Sequence, residues 1–191
     1  MKKNILISIL CALIIAAAGL GTAAAQSADG AHHILIAYFS WSGNTRHIAE
    51  TLHGLLPNSD LFEIAPKTPY TSDYGEVLKV AQNEQNAEAR PEIAEKVEKM
   101  DSYDTVFIGY PLWWYTTPMI IKSFLEQYDL KGKTIIPFCS HGGAKFAHSL
   151  EVFEHYYPDE SRINDALAIA GSGGSGLDKT LTDWLAKLKI Q

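Results

Sequence analysis

Short apolar segments alternate with segments of helical spacing along the chain, and this alternation limits the possible folds more than any other feature. Continuous apolar runs such as 34–39 and 105–110 have the length of a strand and suit strands that are buried on both faces. In the segment after the first run, Ile48, Leu52 and Leu55 fall on one face of a helix. Strict alternation of strands and helices predicts parallel strands joined by right-handed crossovers. We therefore expect an α/β fold, with a doubly wound, five-stranded parallel sheet and helices on both faces.

The predicted elements follow one another in a simple order. Pro57 and Asn58 end the first helix, and Pro118 begins the third. The predicted strands are 34–39, 61–64, 105–110, 133–138 and 163–170, and the predicted helices are 45–56, 74–89, 118–128, 146–156 and 177–190.

The first 25 residues have the pattern of an export signal. Two lysines precede an apolar run at 5–18, and alanines 23–25 provide the small residues expected at a cleavage site before Gln26. An uncleaved membrane anchor is the alternative, because the apolar run extended to residue 25 is just long enough to span a bilayer. With cleavage, residues 26–191 form one domain that is exported to the periplasm or secreted.

The charge of the chain excludes some classes of partner. Sixteen lysines and arginines face 22 acidic residues, which gives a net charge of −6. Removal of residues 1–25 takes away two lysines and no acid, so the net charge becomes −8. Such a chain has no electrostatic basis for binding nucleic acid or anionic lipid. Cleavage also removes Cys11 and leaves Cys139 alone, so an intramolecular disulfide is not expected.

Much of the negative charge lies in the segment 67–100, between the second and third predicted strands. A solvated connecting surface with one helix is the simplest interpretation. A docking surface for a basic partner is the alternative. The segment could also border a binding pocket, with Tyr70 and Tyr74 as lining.

Three loops lie where the predicted sheet should bind a ligand. In doubly wound sheets, ligands bind beyond the carboxyl ends of the strands, near the point where the strand order reverses. That rule selects the first loop (residues 40–45), the second loop (110–117) and the third loop (139–144). These loops also have the most unusual compositions in the chain.

The first loop leads from a strand into a helix and is rich in small polar residues. Gly43 lets the backbone curl, so that N–H groups can point at one anion, and the positive end of the helix dipole adds to their effect. The pattern predicts a phosphate site that needs no lysine, and an ordinary Ser/Asn helix cap is the alternative. The candidate residues are Ser40, Trp41, Ser42, Gly43, Asn44 and Thr45. Arg46 could assist the phosphate or lie on the surface.

The second loop contains three consecutive large aromatic residues, Trp113, Trp114 and Tyr115. Three such side chains are difficult to bury together, so they indicate a platform for a planar ring. We expect one tryptophan to cover the core instead. Pro111 and Leu112 precede the platform and are included in the candidate site.

The third loop offers backbone N–H groups and little bulk, which suits close approach of a ring edge. Its candidate residues are Ser140, His141, Gly142 and Gly143. Cys139 is expected to be a small core residue, because no base is paired with it in the sequence. The histidines show no metal-binding spacing.

Together the three loops resemble those of the flavodoxin family. The likeness is carried by Tyr38 to Arg46, Ile108 to Trp114 and Pro137 to Gly143, and it extends over about residues 33–190. It is nearest to the bacterial flavodoxin-like branch with an acidic insert between the second and third strands. The resemblance implies non-covalently bound FMN, with the phosphate on residues 40–45 and the isoalloxazine between residues 113–115 and 140–143. It also implies the strand order 2-1-3-4-5.

Two functions are compatible with such a site. An electron-transfer carrier would exchange electrons with a redox partner protein or with the membrane quinone pool. An FMN-dependent oxidoreductase of the quinone- or nitro-reductase kind would need room over the flavin for a second ligand. The export signal disfavours the usual cytoplasmic partners and nicotinamide donors. Whether the chain is an enzyme is therefore left open by its sequence. A domain that retains the fold without flavin is disfavoured by the intact first loop.

Overall fold

A five-stranded, all-parallel sheet forms the centre of the computed structural model, which describes residues 33–190. The strand order is β2-β1-β3-β4-β5, as the resemblance implies, with the reversal between β1 and β3. The predicted export signal, residues 1–25, lies outside the described residues. The elements are β1 Ile34–Tyr38, α1 Asn44–Leu55, β2 Ser59–Glu63, α2 Tyr74–Asn86, β3 Thr105–Pro111, α3 Met119–Gln127, β4 Thr134–His141, α4 Leu150–Tyr156, β5 Leu167–Ala170 and α5 Leu177–Leu188.

The sheet buries both of its faces, which explains why its central strands are continuous apolar runs. Successive side chains of β1 alternate between two cores: Leu35 belongs to one and Ile36 to the other. The first core includes residues of α3 and α4, and the second includes residues of α1 and α5. Helices thus cover both faces, as expected.

Two predicted elements begin later than the sequence indicates. The predicted helix 146–156 is helical only from Leu150, because Lys145 and Ala147 have positive φ angles that α-helical backbone cannot contain. The predicted strand 163–170 pairs only from Leu167, because a turn of 3₁₀ helix occupies Ile163–Asp165. The predicted strand 133–138 is longer than expected, because β4 continues to His141 and residues 139–141 of the third loop are therefore paired strand. None of these differences changes the topology.

Gly109 marks a place where the sheet and its covering side chains approach closely. A β-carbon built at this position would lie 2.2 Å from an atom of the Phe138 ring in the neighbouring strand. Glycine is therefore required by packing here, and it keeps the end of β3 next to β4 just before the second loop.

None of the helices within residues 33–190 is long and apolar enough to cross a membrane.

Candidate functional site

The three predicted loops meet at the carboxyl ends of β1, β3 and β4, around a cleft of about 960 Å³. Such a volume is at the upper end of the range for small-molecule sites, about 300–1,000 Å³. Twelve of the fifteen candidate residues line the cleft: Trp41, Ser42, Asn44, Pro111, Leu112, Trp113, Trp114, Tyr115, Ser140, His141, Gly142 and Gly143. The other three, Ser40, Gly43 and Thr45, lie in the first loop among these residues.

The segment 67–100 borders the cleft, as one interpretation of the sequence allowed. Tyr74 is in the lining, whereas Tyr70 is not and packs on Trp113 instead. Sequence reasoning missed two further parts of the cleft wall. Helix α2 contributes Val77, Leu78 and Ala81 beside Tyr74, although the simplest interpretation was a solvated helix. Ala170 and Gly171 contribute from the end of β5. The carboxyl-end rule could have identified Ala170 and Gly171, since Ala170 ends a predicted strand and Gly171 follows it. The α2 residues carry the weaker signal of apolar side chains at helical spacing.

The first loop enters α1 through Gly43, whose φ of 89° lies in the left-handed region. No side chain caps the helix, so the alternative of an ordinary Ser/Asn cap is not what the structure shows. The hydroxyl of Ser40 is buried and has no hydrogen-bond partner within residues 33–190. A buried hydroxyl without a partner is unusual, and here it lies in the loop where an anion was expected.

Arg46 does not join the cleft lining. Its guanidinium forms an ion pair with Glu63 of β2, at 2.5 Å, and the Tyr38 side chain is nearby. The bond to Glu63 is the main reason why the pKa of Arg46 is raised. The surface interpretation of Arg46 therefore fits the structure better than assistance to a phosphate.

The second loop makes a tight turn at Trp113–Thr116, with two backbone hydrogen bonds of 3.0 Å between its end residues. Trp114 and Tyr115 both have positive φ angles, 45° and 67°, which is the pattern of a type I′ turn. Asparagine and glycine are usual at these positions, so two bulky aromatic residues here strain the backbone. Both side chains lie at the tip of this turn and are partly open to solvent: Trp114 is 39% and Tyr115 62% exposed.

The tryptophans of the site have distinct surroundings. Trp113 packs edge-on against Phe39 and Tyr70, each with ring centroids 5.3 Å apart, so it is the tryptophan that covers the core. The Trp114 indole N–H donates to the carbonyl of Leu78 in α2 at 2.8 Å. The Trp41 indole N–H donates to the carbonyl of Thr71 at 2.8 Å. The second loop is thereby tied to α2, and the first loop to the chain just before it.

In the third loop, His141 has a defined protonation pattern. Its Nδ1 accepts the backbone N–H of Gly143 at 2.9 Å, so the proton of the neutral ring is on Nε2. Burial, together with the positive charge of Lys145, lowers the pKa of His141, which favours this neutral form.

Cys139 is buried, and burial raises the pKa of its thiol to about 12. The expectation that it is a core residue is confirmed.

The cleft carries no charged side chain among its described lining residues apart from the titratable His141. An anion in the first loop would therefore be held by N–H groups, hydroxyls and the α1 dipole. Within residues 33–190 no group of three His, Cys, Asp or Glu side chains could hold a metal ion.

Many acids of the segment 67–100 are already paired. Glu76 bonds Lys79, Glu92 bonds Lys67, and Glu88 bonds Lys122 of α3. The role of the segment 67–100 as a docking surface stays a prediction.

Comparison with known proteins identifies the family. The family model described as Flavodoxin matches residues 33–188. A protein assigned as a flavoprotein from Bacteroides eggerthii is 36% identical over 83% of this chain and 99% of its own, with a TM-score of 0.72. A Bacteroides uniformis protein assigned likewise is 27% identical over 82% and 99%, with a TM-score of 0.71. A Lactobacillus acidophilus flavoprotein in complex with FMN is 25% identical over 78% and 98%, with a TM-score of 0.60. No curated protein sequence matches significantly. With the fold, the loops and the family model in agreement, the chain belongs to the flavodoxin family.

Proposed function

We propose that this protein binds FMN in the cleft and acts as an electron-transfer carrier. The observation that carries the proposal is the first loop: left-handed Gly43 stands at the N-terminus of α1, and the same loop contains the buried Ser40 hydroxyl, which has no partner within residues 33–190. An anion bound there would meet backbone N–H groups and the helix dipole without a lysine. The relative from Lactobacillus acidophilus, solved in complex with FMN, supports the same cofactor.

The residues present fit FMN at both ends of the cleft. Ser40, Ser42 and Asn44 would hold the phosphate through hydroxyl, amide and backbone groups. Trp114 and Tyr115 would border the isoalloxazine from the second loop, and Gly142 and Gly143 leave room for its edge. The cleft is large enough for the whole cofactor.

Flavins supply one- and two-electron redox chemistry when bound. The residues of this chain determine how the ring is held and how much water reaches it. Trp41, fixed by its bond to Thr71, and Trp114, fixed by its bond to Leu78, line the cleft and would shield a bound ring from water on their sides. His141 holds its proton on Nε2 and can donate it in a hydrogen bond without carrying charge.

The test is a reductive titration. The purified chain is incubated with FMN, freed of excess, and reduced stepwise while the visible spectrum is recorded. We expect stoichiometric flavin and two resolved one-electron steps. Absence of bound flavin in the wild-type chain would refute the proposal. A Gly43→Asp variant is the control for site-specific binding, because its carboxylate would face the phosphate.

Reduction of a small planar acceptor, such as a quinone or nitro compound, is the second candidate function. The observation in its favour is the size of the cleft together with the exposed rings of Tyr74 and Tyr115 at its lining. Reduction in a single two-electron step, with turnover of NADPH and a quinone at enzyme-like rates, would establish it in place of the carrier function.

We also propose that residues 1–25 direct export, and that the redox partner is a protein or the membrane quinone pool outside the cytoplasm. The N-terminal pattern of lysines, apolar run and alanines supports this proposal. Mass spectrometry of the protein recovered from its natural compartment tests it: we expect an N-terminus at Gln26.

A further inference from the structure

Ser140 lies at the point where the three loops of the cleft meet. Its hydroxyl is 2.8 Å from the hydroxyl of Thr45, which is 95 positions away in the sequence and at the start of α1. Its backbone carbonyl accepts the N–H of Leu112 in the second loop at 2.8 Å. Ser140 itself lies in β4, one residue before the end of that strand, and β4 leads into the rest of the third loop. One residue therefore contacts the phosphate end and the ring end of the cleft.

The paired hydroxyls of Thr45 and Ser140 lie in the protein interior. Thr45 is 0% exposed and Ser140 4% exposed, so no bulk water replaces either partner if the other is removed. A hydroxyl pair in this setting fixes both side chains, because a buried polar group that loses its partner is strongly disfavoured.

We propose that Ser140 is a positioning residue for the phosphate loop rather than a contact of the flavin ring. Its hydroxyl holds Thr45, and Thr45 holds the first turn of α1, whose N–H groups face the anion. The pair thus orients the first loop for the phosphate. This inference rests on the proposed binding of FMN and adds a specific role within it: recognition of the phosphate depends on a side chain of the third loop.

The inference separates phosphate recognition from ring recognition. Riboflavin has the same ring as FMN and no phosphate. Loss of a residue that positions the phosphate loop should weaken FMN binding and leave riboflavin binding nearly unchanged. Loss of a residue that only contacts the ring, or only stabilises the fold, should change both affinities together.

The experiment measures the dissociation constants of FMN and riboflavin by fluorescence quenching, for the full chain and its variants. We expect Ser140→Ala to weaken FMN binding about tenfold, which corresponds to about 1.4 kcal/mol, and riboflavin binding less than about twofold. Thr45→Val should have the same effect, and the double variant should be no weaker than either single variant, since both remove one interaction. Thr45→Ser keeps the hydroxyl and should retain the wild-type ratio of the two affinities.

Ser149→Ala is the matched control. Ser149 is also a buried serine. Its hydroxyl pairs with that of Tyr110 at 2.9 Å and donates to the carbonyl of Phe146 at 2.7 Å, and neither partner belongs to the first loop. This variant should lose stability without altering the ratio of FMN to riboflavin affinity.

The outcomes are distinguishable from failure of the proposed function. A wild-type chain that binds neither flavin overturns the proposed function and this inference with it. Normal FMN binding by the wild type, with an unchanged affinity ratio in Ser140→Ala or additive effects in the double variant, overturns the inference alone. If Ser140→Ala does not fold, the comparison of Thr45→Val with Thr45→Ser decides. Equal ratios of FMN to riboflavin affinity in these two variants overturn the inference.

Discussion

Replacement of Gly43 by alanine tests how the first loop is built. Gly43 has φ 89° and ψ −12°, and its carbonyl accepts the N–H of His47 in the first turn of α1. A β-carbon built at this position meets no atom within 4 Å. The substitution therefore causes no collision, and its whole effect is the backbone strain of a non-glycine residue, about 1–2 kcal/mol.

The rigidity of the loop decides whether this strain lowers the stability of the protein or its affinity for FMN. If the loop has the same conformation with and without ligand, the strain lowers the free energy of unfolding by about 1–2 kcal/mol and leaves FMN affinity unchanged. If the loop relaxes in the free protein, binding must restore the strained form, and affinity falls by a factor of about 5–30. Because the bond between Thr45 and Ser140 holds the loop, we expect the loss in unfolding free energy.

Gly54→Ala in α1 is the control, because it should change the free energy of unfolding in the opposite direction. Gly54 has no positive φ, is exposed, and leaves open space for a β-carbon. Alanine there should raise the free energy of unfolding by about 0.5–1 kcal/mol. Urea denaturation with and without FMN gives both quantities. Wild-type stability and affinity in Gly43→Ala would refute the reasoning, and unchanged FMN affinity in Gly43→Asp would mean that the phosphate binds elsewhere.

Three further substitutions test packing, the aromatic wall and pH dependence. Gly109→Ala should lower the free energy of unfolding by at least about 1–3 kcal/mol in urea denaturation, because its β-carbon would collide with the ring of Phe138. Trp113→Ala should lower it by about 2–3 kcal/mol, and also weaken FMN binding in a fluorescence titration, because this ring both covers the core and lines the cleft. Burial raises the pKa of Glu84 in the folded protein, although the hydrogen bond from Tyr70 opposes this shift. The stability that the protonated carboxyl contributes is therefore complete below the pKa it has in the unfolded chain, and it is lost as the pH rises through the pKa it has in the folded protein. Glu84→Gln should therefore gain stability relative to the wild type as the pH rises above the unfolded-state pKa of a glutamate, and parallel curves of unfolding free energy against pH would contradict this.

The sequence predicts the sheet and the position of the cleft well, for a clear physical reason. Strands that are buried on both faces must be apolar throughout, so runs such as 34–39 are visible without any structure. The carboxyl-end rule then places the three loops at one edge of the sheet. Local chemistry also predicts the glycine at the entrance to α1.

Features that depend on tertiary contacts are not visible in this way. Lys145 and Ala147 adopt positive φ angles and delay α4, yet neither residue type signals such a conformation. The inward face of α2 is short, since only Val77 and Ala81 are buried, and it is easily taken for a solvated helix. The sequence places Ser140 beside the ring, and only the structure shows its hydroxyl on Thr45, because the pair joins two distant segments.

The strained turn of the second loop indicates how the cleft is kept ready for a ligand. Positive φ angles at Trp114 and Tyr115 persist only if the surroundings determine them more strongly than local preference does. Three contacts do so: the backbone bonds between Trp113 and Thr116, the indole bond of Trp114 to α2, and the N–H of His148 on the carbonyl of Tyr115 at 2.9 Å. Ser140 joins the first loop to the second, so bonds within the chain itself hold the loops of the cleft. We therefore expect these loops to be ordered by folding rather than by binding, which favours tight binding of a cofactor by a site without positive side chains.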